Sequence, residues 1–156
     1  MNIMAIDPGK KGAIALARHD GVYHLELLPD EPALMFRIFE EHRPSVCYLE
    51  KAQCMPRQGI SSAFNYGRHF GEIIGVLTAL KIPIIFVTPG KWTKSVHAGI
   101  RGTSAKEKSK KAAFKLLPHL NFLATERSKV PHDGLIDAAL IAEFARREQN
   151  VKAIPF

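Results

Sequence analysis

The stretch that decides the fold is Asn2-Ile3-Met4-Ala5-Ile6-Asp7-Pro8-Gly9, where an apolar run ends in a carboxylate and a turn. A short apolar run bounded by a turn signal predicts a buried strand, here at residues 2–7. A second such run, Val46-Cys47-Tyr48-Leu49-Glu50, also ends in an acid, and its β-branched and aromatic residues favour a strand. The two stretches predict a sheet that carries carboxylates at the ends of two strands.

The remaining elements follow from the hydrophobic pattern on either side of these stretches. Strands are predicted at residues 12–17, 22–28 and 83–87. The strand at residues 83–87 is apolar throughout, so we expect it to be buried on both faces, and Thr88-Pro89-Gly90 ends it. Helices are predicted around residues 34–39 and at residues 60–81, 104–117 and 133–148, with Ser61 or Ser62 capping the second. This order predicts an α/β fold, a mixed five-stranded sheet with helices on both faces, in a single domain over residues 1–156.

The long predicted helix carries Gly67, Gly71 and Gly75 at a spacing of four. Each glycine costs about 1 kcal/mol relative to alanine in a helix interior, so three on one stripe indicate the close approach of another backbone. Tight packing within the monomer explains the stripe at least as well as contact with a second subunit.

Charge is distributed unevenly along the chain. The 156 residues have a formal net charge of +7, and the sequence pI is about 9.6. Between Lys51 and Lys129 there are fourteen Lys or Arg residues and only three acids. Because a basic surface attracts phosphate backbones, we expect a polyanionic partner.

Other features of the composition exclude several classes of protein. Two cysteines, Cys47 and Cys54, are too few for a disulfide framework or a zinc site. No apolar run approaches the roughly 20 residues that span a bilayer, and the start of the chain lacks a signal-peptide pattern. We therefore expect an intracellular, cytoplasmic protein with no membrane partner.

Four acids stand in otherwise apolar elements: Asp7 and Glu50 at strand ends, and Asp133 and Asp137 on the last predicted helix. The spacing of four puts both aspartates on one face of that helix, where buried like charges are costly unless a cation binds them. Oxygen ligands without nearby Cys or paired His suit Mg²⁺ or Mn²⁺, and two such ions about 4 Å apart support phosphodiester cleavage. Asp7 alone is explained as well by a turn, Asp133 by a helix cap and Glu50 by a surface ion pair, whereas Asp137, inside the apolar helix, is the hardest to explain in this way. Together the four acids predict a metal site.

This ordered set of motifs resembles the RuvC superfamily of nucleases. It comprises Asp7-Pro8-Gly9 after a strand, Glu50 ending a strand about forty residues later, and Asp133-Gly134-Leu135-Ile136-Asp137-Ala138 on a C-terminal helix. The basic segments at residues 88–94 and 105–109 also fall where that family has basic neighbours of its active site. The resemblance covers essentially the whole chain and is closest to the short RuvC-like resolvases of bacteriophages.

The resemblance implies an RNase H-like fold and an endonuclease that cuts four-way DNA junctions. It implies that the four acids bind two Mg²⁺ ions, with Mn²⁺ as a substitute, and that cleavage leaves 5′-phosphate and 3′-hydroxyl ends. Lys94 and Lys108 match basic positions that contact the phosphate or its developing charge. The family acts as a homodimer that nicks opposing strands symmetrically, and the glycine-striped helix is a candidate for the interface.

Seven residues are expected to contact DNA: Lys51, Met55, Arg57, Arg68, Lys91, Lys106 and Lys111. The segment after Glu50 departs from the family pattern because it has no aromatic residue to stack near the crossover, and Met55 is a candidate apolar wedge in its place. The last two acids stand four residues apart where some family members have three, and both spacings face one side of a helix.

Three other functions fit parts of this pattern. An RNase H-like nuclease acting on flaps, forks or RNA–DNA hybrids keeps the fold and changes the substrate. A non-catalytic protein that binds branched DNA explains the basic residues but leaves Asp137 unexplained, and an actin-like kinase or ATPase needs two lobes, for which this chain is too short. Trp92 is expected to bridge a loop to the core rather than stack on a base, and His132 to flank the last helix at the surface rather than bind metal.

Overall fold

A five-stranded sheet forms the centre of the protein in a computed structural model that describes residues 1–51 and 59–152. The strands are β1 (Ile3–Asp7), β2 (Ala13–Arg18), β3 (Gly21–Leu27), β4 (Val46–Glu50) and β5 (Ile84–Val87). Their order across the sheet is β3-β2-β1-β4-β5; β2 runs antiparallel to both neighbours, and β1, β4 and β5 are parallel. The prediction of a mixed five-stranded sheet is confirmed.

Helices cover both faces of this sheet, as predicted: α1 (Pro32–His42), α2 (Ile60–Ala79), α3 (Pro89–Val96), α4 (Ala105–Leu116) and α5 (Asp133–Lys152). One apolar core lies between the sheet and α3, α4 and α5, and a second lies between the sheet and α1 and α2. Along β1 the side chains alternate, with Ile3 and Ala5 in the first core and Met4 and Ile6 in the second. The next residue, Asp7, therefore belongs to the face that α5 covers.

Helix α3 is an element that the sequence interpretation missed. Thr88-Pro89-Gly90 was expected only to end a strand, but Thr88 is the N-cap of α3 and Pro89 is within its first turn. Proline suits that position because its missing N–H has no partner there in any helix and its fixed φ is already helical. The turn signal was correct, and the helix that follows it was not recognised.

The prediction that the strand at residues 83–87 is buried on both faces was wrong. β5 is an edge strand, paired only with β4, and Phe86 is 50% exposed. An apolar run does not distinguish a central strand from an edge strand, because the neighbours of the strand decide its burial.

The long helix α2 differs from its prediction in two respects. Its N-cap is Gly59, and Ser61 and Ser62 lie inside the first turn, so the predicted serine cap was wrong. No described atom outside the helix lies within 4 Å of a Cβ built at Gly67, Gly71 or Gly75, so close packing against the described residues does not explain the stripe.

The glycine stripe instead belongs to an exposed face of α2. Ile60 is 90% exposed and Phe64 is 70% exposed, and both lie on the same side of the helix as the glycines. We call this surface, formed by Ile60, Phe64, Gly67, Gly71 and Gly75, the outer face of α2. In the part of the chain described by the structure, no helix is long and apolar enough to cross a membrane.

Candidate active site

Asp7 and Glu50 lie side by side at the ends of two adjacent strands. In the parallel pairing of β1 with β4, Ile6 is opposite Leu49, and each acid is the next residue along its strand. Both side chains lie on the face of the sheet that α5 covers, and Asp7 donates a hydrogen bond to the Glu50 carboxylate. Burial, then the negative charges of Glu50 and Asp137, raise the pKa of Asp7 well above its usual value.

Asp137 reaches the same point from helix α5. Burial and then the Glu50 charge raise the pKa of Asp137 to about 7, and a hydrogen bond from Ser109 partly opposes this rise. The pKa of Glu50 is also raised, mainly by burial. Three partly buried carboxylates from three elements thus come close enough for their negative charges to repel one another, as the sequence predicted.

Asp133 occupies the open side of this group. It begins α5, one turn before Asp137, and its side chain is 52% exposed. Its Oδ2 atom lies 2.7 Å from Nζ of Lys106, one of the predicted DNA contacts. The four predicted acids therefore comprise three partly buried carboxylates and one exposed carboxylate.

Close backbone contacts hold the start of α5 against the β1–β2 turn. A Cβ built on Gly134 would lie 1.9 Å from the carbonyl oxygen of Lys11, so only glycine fits between the two aspartates. On the other side of the turn, a Cβ on Gly12 would lie 2.4 Å from the carbonyl oxygen of Asp7. These contacts fix the distance between the strand that carries Asp7 and the helix that carries Asp137.

Trp92 touches the acidic group directly. It is 3% exposed, and its Nε1 donates a hydrogen bond of 2.7 Å to Oε1 of Glu50. This bond stabilises the charged form of Glu50 and so opposes the rise of its pKa. Burial of the indole agrees with the expected bridging role, but the contact with Glu50 was not foreseen because α3 was not recognised.

Ser109 and His97 form a second contact that the sequence interpretation missed. Ser109 is 7% exposed, donates to Asp137, and lies 3.1 Å from Nε2 of His97 through its Oγ atom. Because the hydroxyl has one proton and gives it to Asp137, His97 Nε2 is the donor to Ser109. Burial and the nearby Lys108 charge lower the pKa of His97, which favours its neutral form. The only available signal was the position of Ser109 beside the basic residues of α4.

The two predicted catalytic lysines lie on neighbouring helices. Lys94 is exposed in the last turn of α3, and Lys108 is partly buried on α4 next to His97. The start of α4 is held by a capping arrangement in which Ser104 Oγ accepts from the Glu107 backbone N–H and Glu107 accepts from Thr103. This cap fixes the helix that carries Lys108 and Ser109.

The remaining predicted DNA contacts are spread over a wide surface. Lys51 is exposed directly after Glu50, Arg68 pairs with Glu72 at 2.8 Å, and Lys111 pairs with Glu107. Lys91 pairs at 2.6 Å with Glu148, eleven residues along α5 from Asp137, a helical distance of about 16 Å. Met55 and Arg57 lie outside the described residues.

A cleft of about 560 Å³ adjoins the β1–β2 turn. It lies between that turn and α2, and its lining includes Gly9, Lys10, Asn65 and Arg68. Lys10 and Arg68 are cations of this lining that are suited to phosphate contacts, and Asp30 is an acid of the same lining. At the start of α5, Nδ1 of His132 accepts from the Leu135 backbone N–H at 3.4 Å, in keeping with the expected position flanking the helix.

Comparison with known proteins gives matches only at the level of structure. No family model and no curated protein sequence match the chain. Thermus thermophilus RuvC in complex with a Holliday junction substrate is similar over 100% of this chain and 99% of its own, with a TM-score of 0.66 and 17% identity. The yeast mitochondrial Holliday junction resolvase Ydc2 is similar over 95% of this chain and 78% of its own, with a TM-score of 0.64 and 14% identity.

Fowlpox virus resolvase, solved with its substrate Holliday junction DNA, is similar over 88% of this chain and 95% of its own, with a TM-score of 0.56 and 18% identity. This chain has the RuvC-like fold. The likeness covers 88% or more of this chain in all three comparisons, so it concerns the sheet and its helices rather than a shared fragment. The RNase H-like fold expected from the motifs is confirmed.

Proposed function

We propose that the chain is a single-domain, metal-dependent endonuclease that resolves four-way DNA junctions by paired symmetric nicks. The observation that carries this proposal is the approach of Asp7, Glu50 and Asp137, from two strands and a helix, into one partly buried, mutually repelling group. A fold has no structural need for three partly buried carboxylates that repel one another, and their repulsion lowers its stability unless a cation binds there.

The donor set fits hard divalent cations. Asp7, Glu50, Asp133 and Asp137 would hold Mg²⁺, or Mn²⁺ as a substitute, because carboxylate oxygens are the ligands these ions prefer. Among the described residues, no three of these acids have ligand oxygens that all lie within 4.8 Å of one another, so side-chain movements would have to bring them onto the ions. The bound ions would activate water and stabilise the leaving oxygen, giving 5′-phosphate and 3′-hydroxyl ends.

Residues around the acids would prepare the site for this chemistry. The hydrogen bond from Trp92 holds the Glu50 carboxylate in place, and the one from Ser109 does the same for Asp137. Lys94 and Lys108 supply positive charge on the side of α3 and α4 and would contact the scissile phosphate as negative charge develops on it. Lys106, which is 75% exposed beside Asp133, would bind the DNA backbone at the mouth of the site.

Branched DNA is the proposed substrate on two grounds. The basic segment of the chain supplies Lys51, Arg68, Lys106 and Lys111 around or near the acids, and Met55 and Arg57 remain predicted contacts. Two proteins with this fold, from T. thermophilus and fowlpox virus, have structures with Holliday junction DNA. Because this chain has the same fold, we propose the same class of substrate for it.

A homodimer is part of the same proposal, because symmetric nicking of two strands needs two sites. The outer face of α2 supports it: Ile60 and Phe64 are exposed apolar side chains beside three glycines that leave room for a second backbone. Exposed apolar surface of this kind is unfavourable in water and favours association. Small residues at that spacing allow two helices to approach closely.

The test is cleavage of a labelled, immobile four-way junction beside a linear duplex and a flap, each in Mg²⁺ and in EDTA. We expect paired symmetric nicks in the junction alone, in Mg²⁺ alone, and their loss in the Asp7→Asn variant with junction binding retained. Equal cutting of the flap would broaden the substrate to other branched or hybrid nucleic acids. Binding without cutting in any divalent ion, or undiminished cutting by Asp7→Asn, would overturn the nuclease assignment.

A further inference from the structure

A group of metal-ligating side chains lies on the opposite face of the sheet from the acids. His24 and Glu26 are two residues apart on β3 and pair with Leu16 and Ile14 of β2, whose side chains belong to the core beneath α1 and α2. His42 is in the last turn of α1, which packs on that same face. Since β3 is separated from β1 by β2, the group is independent of the carboxylates at the end of β1.

The three side chains point at one small volume. Oε1 of Glu26 lies 3.0 Å from Nε2 of His42 and 3.4 Å from Nε2 of His24. One ligand atom from each residue lies within 4.8 Å of the others, and the two imidazole rings are 5.2 Å apart with their planes inclined by 48°. Donor atoms around a tetrahedral zinc ion lie about 3.3 Å apart, so small side-chain movements suffice to place all three on one ion.

An unsatisfied polar atom marks the centre of this group. Nε2 of His24 is buried and has no hydrogen-bond partner among the described residues. A buried ring nitrogen without a partner costs free energy that a bound cation would remove. The group is therefore incomplete as a hydrogen-bonding network.

An ion pair between Glu26 and the two histidines is a simpler explanation of why these three side chains lie together. It explains only part of the arrangement. Glu26 satisfies His42, but the single oxygen it offers to both rings leaves His24 outside hydrogen-bond geometry. Two protonated imidazoles at this separation would also repel each other. Two neutral imidazoles, by contrast, each offer a lone pair to a metal ion.

We propose that His24, Glu26 and His42 form a Zn²⁺ site that joins the edge strand β3 to the end of α1. Imidazole nitrogen with one carboxylate oxygen is a set that zinc accepts and that Mg²⁺ disfavours, so this site and the carboxylate site select different metals. Three protein ligands leave a fourth position for water. The low cysteine count, from which no zinc site was expected, does not bear on a site made of histidine and glutamate.

The test is a titration of the full chain, stripped of metal by a chelator, with Zn²⁺ in excess Mg²⁺ so that the carboxylates are occupied. We expect one Zn²⁺ per chain by calorimetry, and visible absorption of a tetrahedral ion when Co²⁺ replaces it. His24→Ala and His42→Ala should each weaken binding by more than about 10-fold, since even the loss of an outer-shell partner costs 10- to 100-fold in affinity. His19→Ala, an exposed histidine in the β2–β3 turn, is the matched control and should bind as the unmodified chain does.

Two further variants separate the outcomes. The Asp7→Asn variant should bind Zn²⁺ with unchanged affinity while it loses cleavage. The zinc proposal can therefore hold even if the nuclease proposal fails. Thermal melts in EDTA check that His24→Ala and His42→Ala are folded. If His24→Ala does not fold, Glu26→Gln takes its place as the second ligand variant. Zn²⁺ binding that is absent in excess Mg²⁺, or equally strong in His42→Ala and the unmodified chain, would overturn the site.

Discussion

The indole nitrogen of Trp92 donates a hydrogen bond of 2.7 Å to Oε1 of Glu50, which joins helix α3 to the end of strand β4. The bond is made by a buried side chain to a carboxylate whose pKa is raised by burial. A hydrogen bond to a charged group contributes about 1.5–3 kcal/mol, so this contact is strong enough to affect metal binding. It also fixes which way the Glu50 carboxylate faces.

Trp92→Phe should therefore shift the pH dependence of cleavage upward. Without the indole donor the pKa of Glu50 rises further, and a larger fraction of the carboxyl is protonated and unable to bind metal at pH 7. We expect cleavage of the junction to fall about 10-fold at pH 7 and to recover in part at pH 9 or in higher Mg²⁺. Rates measured across this range check the prediction, and an equal loss at every pH would contradict it.

Asp137→Asn should stabilise the metal-free protein at neutral pH. Because the pKa of Asp137 is raised, the folded state keeps the proton of this carboxyl at pH values where the unfolded state has lost it. The contribution of Asp137 to the free energy of unfolding is therefore fully favourable below pH 3.8 and is lost as the pH rises towards about 7. We expect a gain of about 2–4 kcal/mol in the free energy of unfolding at pH 8 in EDTA. Urea melts at pH 4 and pH 8 measure it; a variant with the same pH slope as the parent would refute this account.

Gly134→Ala should separate the two halves of the site. The added methyl group meets the Lys11 carbonyl, and backbone cannot yield as a flexible side chain does. We expect a loss of about 2–4 kcal/mol in stability and a severe loss of cleavage even where the protein remains folded. Gly90→Ala in α3 is the control, because its Cβ meets no described atom within 4 Å and should leave both properties nearly unchanged. Equal effects of Gly134→Ala and Gly90→Ala on stability and cleavage would contradict the role given to this contact.

Phe64→Asp should convert the proposed dimer into a monomer. A charge on the outer face of α2 would be buried between subunits without a partner, at a cost of several kcal/mol. Light scattering should show half the mass, and junctions should receive single rather than paired nicks. Val130→Asp is matched in exposure, 71% against 70%, and should remain a dimer. A parent chain that is monomeric even with junction DNA would exclude the dimer altogether.

Lys94→Ala should slow cleavage about 10- to 100-fold while weakening junction binding much less, because its charge is proposed to act on the developing negative charge of the phosphate. Single-turnover rates and binding isotherms separate the two effects. Lys115→Ala, an exposed lysine in the last turn of α4 that is not among the predicted DNA contacts, is the control and should retain the parent rate. Equal losses of rate and affinity would make Lys94 an ordinary phosphate contact.

The sequence was sufficient for the sheet and for the convergence of the acids. Asp7 and Glu50 were recognised because each ends a strand, and strand alternation then places both on one face. Asp137 was recognised because an acid in an apolar helix needs a partner. These inferences use local pattern alone, which is why they survive in the structure.

Other features depend on tertiary neighbours and could not be predicted from the sequence. β5 was expected to be buried on both faces, and only the strand order shows that it is an edge strand. Ser109 carries no sequence signal beyond its basic neighbours, and its contact with Asp137 depends on how α4 packs on α5. Trp92 was expected to bridge a loop to the core, but its partner depends on helix α3, which was not recognised because Thr88-Pro89-Gly90 was expected only to end a strand.

The order in which the acids appear along the chain has a consequence for synthesis. Asp7 and Glu50 belong to the first third of the chain, whereas Asp137 comes on α5, which is made after every strand of the sheet. A nascent polypeptide still on the ribosome therefore has two of the three partly buried carboxylates and none of the helix that closes the core over them. Under the proposed function, the complete acidic group would form only after α5 is released and docks.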